Sequence, residues 1–290
     1  IALTDVTTIS TDAGSLTLGG VVSGSYGLNK VGMGVLTLSG TNTFTGDTNV
    51  SAGVLNLRNA AALGGTLVSS GSVKVASGAA LELQGNLNLG LKQMVLSGVG
   101  DASLGALRVV SGANTLGGSL TVLANTTLGV NAGGLLTLSG NISGTGFDLT
   151  KLGLGRLNLS GINAYGATTV SEGTLFFLKS AAAGSGPLTM AGNTTLGLKV
   201  GGSGEFTTST FDALLNNTTF ATGNILNLDS GNATSAFVET ANLNLSGGSL
   251  IKSGTGTVVL SGAQTYASLS ITGGTLQFGS GGVSGAPSTG

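Results

Sequence analysis

Three blocks of this chain repeat one another almost position by position. Residues 28–57 read LNKVGMGVLTLSGTNTFTGDTNVSAGVLNL, residues 149–177 read LTKLGLGRLNLSGINAYGATTVSEGTLFF, and residues 250–278 read LIKSGTGTVVLSGAQTYASLSITGGTLQF. A block of about 30 residues, rebuilt each time from the same small and aliphatic residues, marks a repeat architecture in which one strand-and-turn unit stacks on others. Such a chain builds a scaffold and not a pocketed globule.

Apolar residues fall in alternating pairs, among them Leu16/Leu18, Leu36/Leu38, Leu55/Leu57, Leu87/Leu89/Leu91, Leu136/Leu138, Leu196/Leu198/Val200, Leu269/Ile271 and Leu276/Phe278. A period of two is that of a strand with one buried face. Thr, Asn, Ser, Glu and Lys between them suit a solvated face, and Gly, Asn and Ser supply the turns. No 12-residue segment carries a helical period, and the best helical candidate, 211–215, is too short to matter.

Two all-β arrangements accommodate many short strands: a sandwich or barrel of antiparallel hairpins, and a solenoid of parallel strands stacked coil on coil. The solenoid is favoured because the blocks share internal detail and the strands are very short. Their spacing agrees: Leu16, Leu36 and Leu55 lie 20 and 19 residues apart, and Leu136, Leu157 and Leu175 lie 21 and 18 apart. The expected fold is a parallel β-helix of about 14 coils of about 20 residues. It is expected to run as one continuous domain over 1–280, with a loop protruding at 201–223 and a flexible tail or donated strand at 281–290.

Composition narrows the function. Charged residues are 7% of the chain, against about 25% in ordinary globular domains. In a stack, each outward side chain sits about 4.8 Å from its neighbours above and below, where like charges repel. Uncharged Thr, Asn and Ser ladders avoid that repulsion. Ten Lys and Arg against eleven Asp and Glu form no basic stripe, so no nucleic-acid partner is expected. No run of about 20 apolar residues offers a transmembrane segment. Cys, His and Trp are absent, which removes disulfides, thiolate nucleophiles and soft metal sites. The first ten residues lack the basic start and continuous apolar stretch of a signal peptide, and the chain reads as a mature or excised part of something longer.

The three blocks resemble the autotransporter-associated β-strand repeat of bacterial autotransporter passenger domains. The resemblance rests on Lys30, Lys151 and Lys252, on the glycine pairs Gly32/Gly34, Gly153/Gly155 and Gly254/Gly256, and on Ser39-Gly40, Ser160-Gly161 and Ser261-Gly262. It continues through Asn42, Asn163 and, departing from pattern, Gln264, then the aromatics Phe44, Tyr165 and Tyr266. The resemblance implies a right-handed parallel β-helix outside the bacterial cell, with no catalysis in the repeat itself. A C-terminal membrane barrel, with its aromatic-girdled strands, has no counterpart in this chain.

The repeated residues are expected to be structural. The lysines are 121 and 101 residues apart and cannot share one glycan-binding pocket; hydrogen bonding to turn carbonyls, with the stem on apolar surface, suits them. The amides suit the turn backbone and the aromatics suit a packed corner. Recurrent G-x-G is not followed by a helix, so it is no dinucleotide fingerprint. The eleven acids are scattered, with Asp148, Lys151 and Glu172 the nearest approach to adjacent coils and Glu205/Asp212 sharing an irregular stretch. No catalytic, metal or cofactor constellation is expected. The chain therefore reads as an extracellular, non-catalytic stalk in adhesion or surface display. The alternatives are a subunit that polymerises by end-to-end stacking or strand donation, and a polysaccharide lyase or hydrolase on a β-helix. A cell-surface or glycan partner is expected, and 201–223 is the best place for a contact, since binding is commonly carried by loops on rigid scaffolds.

Overall fold

The computed structural model describes residues 1–65, 71–245 and 247–279; the expected tail at 281–290 lies outside them. Over the described residues the chain is all-β, with parallel strands stacked as a β-solenoid of about 13 turns. The pairing is parallel throughout and none of it is the antiparallel hairpin of a sandwich. The chain divides into two compact units, Ile1–Leu157 with Gly161–Gly166, and Asn158–Ser160 with Ala167–Gly290.

In the first unit one sheet runs Thr7–Ser10, Leu28–Val31, Thr48–Val50, Val73–Val75, Met94–Leu96, Leu120–Val122, Ile142–Gly144 and Ala164–Tyr165 in spatial order. A second runs Ser15–Leu18, Val35–Leu38, Val54–Leu57, Ala80–Gln84, Leu107–Ser111, Thr126–Val130 and Leu149–Leu152. Each strand pairs with the one a full coil away. The register superposes like on like: Leu36 faces Leu16 and Leu55, Leu55 faces Leu81, Leu81 faces Leu107, and Leu107 faces Leu128. Leu36, Leu55, Leu81, Leu107 and Leu128 are all fully buried. Burying each stabilises by about 1.5–3 kcal/mol, which is what holds a stack that has few charges.

In the second unit, Thr174–Phe177, Thr195–Lys199, Ile225–Asp229, Ser249–Ser253 and Ser268–Ile271 make the longest run. Phe237–Glu239, Thr257–Leu260 and Thr275–Phe278 form another side.

Coil length is less uniform than the sequence spacing suggests. Val258 and Leu276 are paired 18 residues apart, Leu55 and Leu81 26 apart, and Leu188 and Thr218 30 apart. The longest coil contains the one α-helix among the described residues, α1, Thr208–Asn216. The helix lies within the segment read as a loop. Thr207 caps it: its Oγ1 accepts from Thr210 N while Thr210 Oγ1 accepts from Thr207 N. Buried Phe211 and Leu214 fix it to the solenoid, with Phe211 edge-on to Phe237 at 5.5 Å between ring centres. Nine residues are too few for a helix to stand alone, so packing and the cap decide its formation.

Three of the alternating leucine and isoleucine positions do not face inward to a covered core. Leu91 falls in a turn, and Leu16 and Ile271 lie on strands with only one described neighbour, so all three stay exposed.

Candidate functional site

The three lysines are inward-facing. Lys30 and Lys151 stand in register with interior aliphatics, Lys30 between Ile9 and Val50 and Lys151 beside Leu128. Lys30, Lys151 and Lys252 are fully buried. An ammonium has three donors and no acceptor. Lys30 Nζ donates to the carbonyls of Val31 at 3.0 Å, Gly32 at 2.7 Å and, on the next coil, Ala52 at 3.0 Å. Lys252 does the same to Ser253, Gly254 and Gly273 at 2.8, 2.8 and 2.9 Å. Lys151 donates to Leu152 and Gly153. Burial pushes Lys30 and Lys252 below the ordinary lysine pKa, with Asp12 and Asp229 respectively pulling back up.

The glycines make this cradle. Gly32, Gly153 and Gly254 adopt φ of 76°, 83° and 75°, which turns consecutive carbonyls toward one point and excludes most L side chains. Eight residues on, Gly40, Gly161 and Gly262 each press on the adjacent coil, where a Cβ would overlap the carbonyl oxygen of Gly20, Gly140 or Ala241.

The amide bridges coils. Asn42 Oδ1 accepts from Val22 N at 2.9 Å and its Nδ2 donates to Ala62 O at 2.6 Å, so one side chain ties the coil below to the coil above. Asn163 accepts from Ile142 N at 2.9 Å. Gln264, one methylene longer, folds back onto Gly262 O at 2.9 Å and leaves its Oε1 buried without a donor. Phe44, Tyr165 and Tyr266 are buried beside these amides, and Phe44 packs on Leu3 and Val22. The block thus encodes a corner. In the first unit its lysine strand lies in the first sheet for copy one and in the second sheet for copy two, with the ammonium contacts to the two following carbonyls repeated.

Several polar groups outside the blocks do related work. Lys92 is buried, donates to Leu63 O at 3.0 Å, and is pushed down to about 8 by burial, with Asp47 opposing. Asn114 accepts from Leu87 N at 3.1 Å across 27 residues, like Asn42. The outward ladders are mostly uncharged, as with Asn29–Asn49 at 2.8 Å, Ser249–Ser268 at 2.7 Å and Asn227–Ser253 at 2.8 Å. Charges enter as opposite pairs on adjacent coils. Arg108 meets Glu82, which also accepts from Asn56 at 2.9 Å, and Lys199 meets Asp229 at 3.0 Å.

Two surface features remain. On the first sheet, Thr8, Asn29, Asn49 and Lys74 line a furrow of about 430 Å³ with Val31 and Leu123 at its walls. In the second unit, Asp212 of α1 meets Glu239, 27 residues on, in a hollow of about 160 Å³. Glu205 does not join Asp212; it closes its own turn by accepting from Gly202 N at 2.9 Å and from Asn232 at 2.8 Å. Among the described residues no three His, Cys, Asp or Glu side chains cluster, and no helix is long and apolar enough to cross a membrane.

Corner modules on a parallel β-solenoid, with the repeated lysines and amides turned to backbone and the repeated aromatics buried, define a repeat scaffold. The passenger-associated-transport-repeat family model matches residues 28–57, 149–175 and 250–278. Over 283 residues the chain is 36% identical to the Adhesin BmaC autotransporter of Brucella suis biovar 1 (strain 1330). That alignment takes in 91% of this chain and 8% of the relative, so the chain spans a small part of the length of the protein it matches. No solved structure matches. The chain carries autotransporter passenger repeats, as the resemblance of the three blocks implied, and these place it outside the bacterial cell, at its surface.

Proposed function

We propose that this chain is a non-catalytic stalk segment of a bacterial surface adhesin. The observation that carries the reading is the fate of the repeated side chains. The lysine, the amide (Asn42, Asn163 or Gln264) and the aromatic of each copy are buried, and the lysines and amides donate to or accept from backbone atoms of their own and neighbouring coils. None of the repeated lysines, amides or aromatics is offered to a substrate. Its chemistry is the satisfaction of corner carbonyls and amides, which keeps a long stack in register. The furrow of Asn29, Asn49 and Lys74, whose ammonium is paired with Asp47, presents mainly uncharged donors and acceptors, suited to a neutral glycan at the cell surface.

The test is a paired assay on the purified chain. Incubation with uronic-acid polymers, with and without calcium, is expected to release no unsaturated or reducing ends. Beads coated with the chain are expected to attach to glycan-coated surfaces less well after Asn49→Ala. Polymer cleavage would reassign the chain to the enzymes, and ordered filaments in electron micrographs would reassign it to self-assembly.

A further inference from the structure

We propose that the hollow between α1 and the turn after Phe237–Glu239 is a calcium site, with Asp212 and Glu239 as its carboxylates, the amide oxygen of Asn216 as a third protein ligand and water completing its shell; the Asn242 amide oxygen is held by Ala263 N at 2.8 Å. All three ligand side chains belong to residues that line the hollow. Asp212 and Asn216 are four apart on one face of the helix.

Glu239 is the independent observation. It is 1% exposed, its Oε1 accepts from Ala241 N at 2.6 Å, and its Oε2 is buried with no donor. Its neighbour within hydrogen-bonding reach is the carboxylate of Asp212, an acceptor when ionised. Neither acid belongs to an ion pair among the described residues. Two acceptors facing each other in a hollow need a proton or a cation between them. Burial and Asp212 both push the Glu239 carboxyl above its ordinary value, which is the electrostatic state that a bound cation relieves.

The donor set selects the ion. Only oxygens are present, from two carboxylates and one amide. Such a set suits a hard cation, and a hollow with room for water suits the 6–8 ligands at about 2.3–2.6 Å that calcium accepts better than the strict octahedron of magnesium. The site sits at the C-terminal end of α1, where the helix dipole also favours positive charge. With two carboxylates and a partly solvated shell, a dissociation constant of about 0.1–1 mM is expected, the range of extracellular modules.

The experiment is calorimetric titration of calcium chloride into the purified chain at neutral pH, with thermal unfolding in calcium or chelator. Binding at about 0.1–1 mM is expected. Calcium at ten times that constant is expected to raise the folded-to-unfolded ratio about 11-fold. Asp212→Asn and Glu239→Gln, both near-isosteric, are expected to fold and to lose both responses, while Glu82→Gln keeps them. Absence of heat and of a melting shift at about 10 mM calcium would overturn the proposal, as would equal responses in Glu239→Gln. An equal response to magnesium would reduce it to non-specific screening. A melting temperature that falls as pH rises through neutrality, and ignores calcium, would assign a shared proton instead.

Discussion

Replacing Lys30 by Met tests the corner module directly, because the two side chains are close in volume and only the ammonium is lost. Three carbonyls converge on Nζ. Val31 O keeps a second donor, Thr11 N at 3.1 Å. Gly32 O and Ala52 O hold Nζ as their donor and belong to partly buried residues. Leaving a buried acceptor unsatisfied costs about 1–3 kcal/mol, and partial burial puts these two at the lower end, about 2 kcal/mol together. Part of this is offset because the variant no longer buries a charge. A net loss of about 1–2 kcal/mol is expected, and Lys252→Met should behave alike because Gly254 O and Gly273 O play the same parts. Lys74→Met is the control: Lys74 is half-exposed in its pair with Asp47, and such surface pairs contribute about 0–1 kcal/mol. Denaturant unfolding followed by circular dichroism measures the loss. Hydrogen exchange of the amides at 31–35 and 51–54 tests its location, since stacked coils open locally. A loss below about 1 kcal/mol for Lys30→Met, or one equal to that of Lys74→Met, would refute the reasoning.

Other outcomes follow from the same geometry. Gln264→Asn restores the shorter amide, allows the cross-coil bond made by Asn42 and removes the orphaned Oε1; a gain of about 1 kcal/mol in unfolding free energy is expected. Gly161→Ala drives a Cβ into Gly140 O, and with backbone on both sides it should lose at least about 2 kcal/mol, read as a lowered denaturation midpoint. Lys92 makes stability depend on alkaline pH. Its folded pKa of about 8 lies below the ordinary lysine value of 10.5, so between these values the unfolded chain holds a proton that the fold has released. Stability therefore rises with pH across that window and is flat with respect to this group below it. Lys92→Met should remove the part of the rise that begins near pH 8, leaving what Lys30 and Lys252 contribute, and a wild-type curve that falls from pH 8 to 10 would contradict it.

The corner was legible in the sequence because its parts are local. Lys30, Gly32 and Gly34 occupy five consecutive residues, and the turn they form brings the ammonium to the carbonyls beside it. Threefold recurrence at Lys151 and Lys252 separated that signal from chance. Helix α1 also had a signal, the reciprocal Thr207/Thr210 cap, but four Thr and Ser in a row read equally as loop. Lys92, Asn114, the Glu82–Arg108 pair and the Asp212–Glu239 pair were not legible. Each depends on a partner 26–29 residues away, and coils vary from 18 to 30 residues.

By itself, then, the order of residues determined the strand period, the parallel stack and the chemistry of each corner, since these follow from neighbours a few bonds apart. Tertiary structure alone decided which side of the solenoid each corner occupies, which distant acids and amides meet, and where a helix replaces a turn. Those outcomes depend on the summed length of every intervening coil, and one added residue shifts the side chains that follow to a different face.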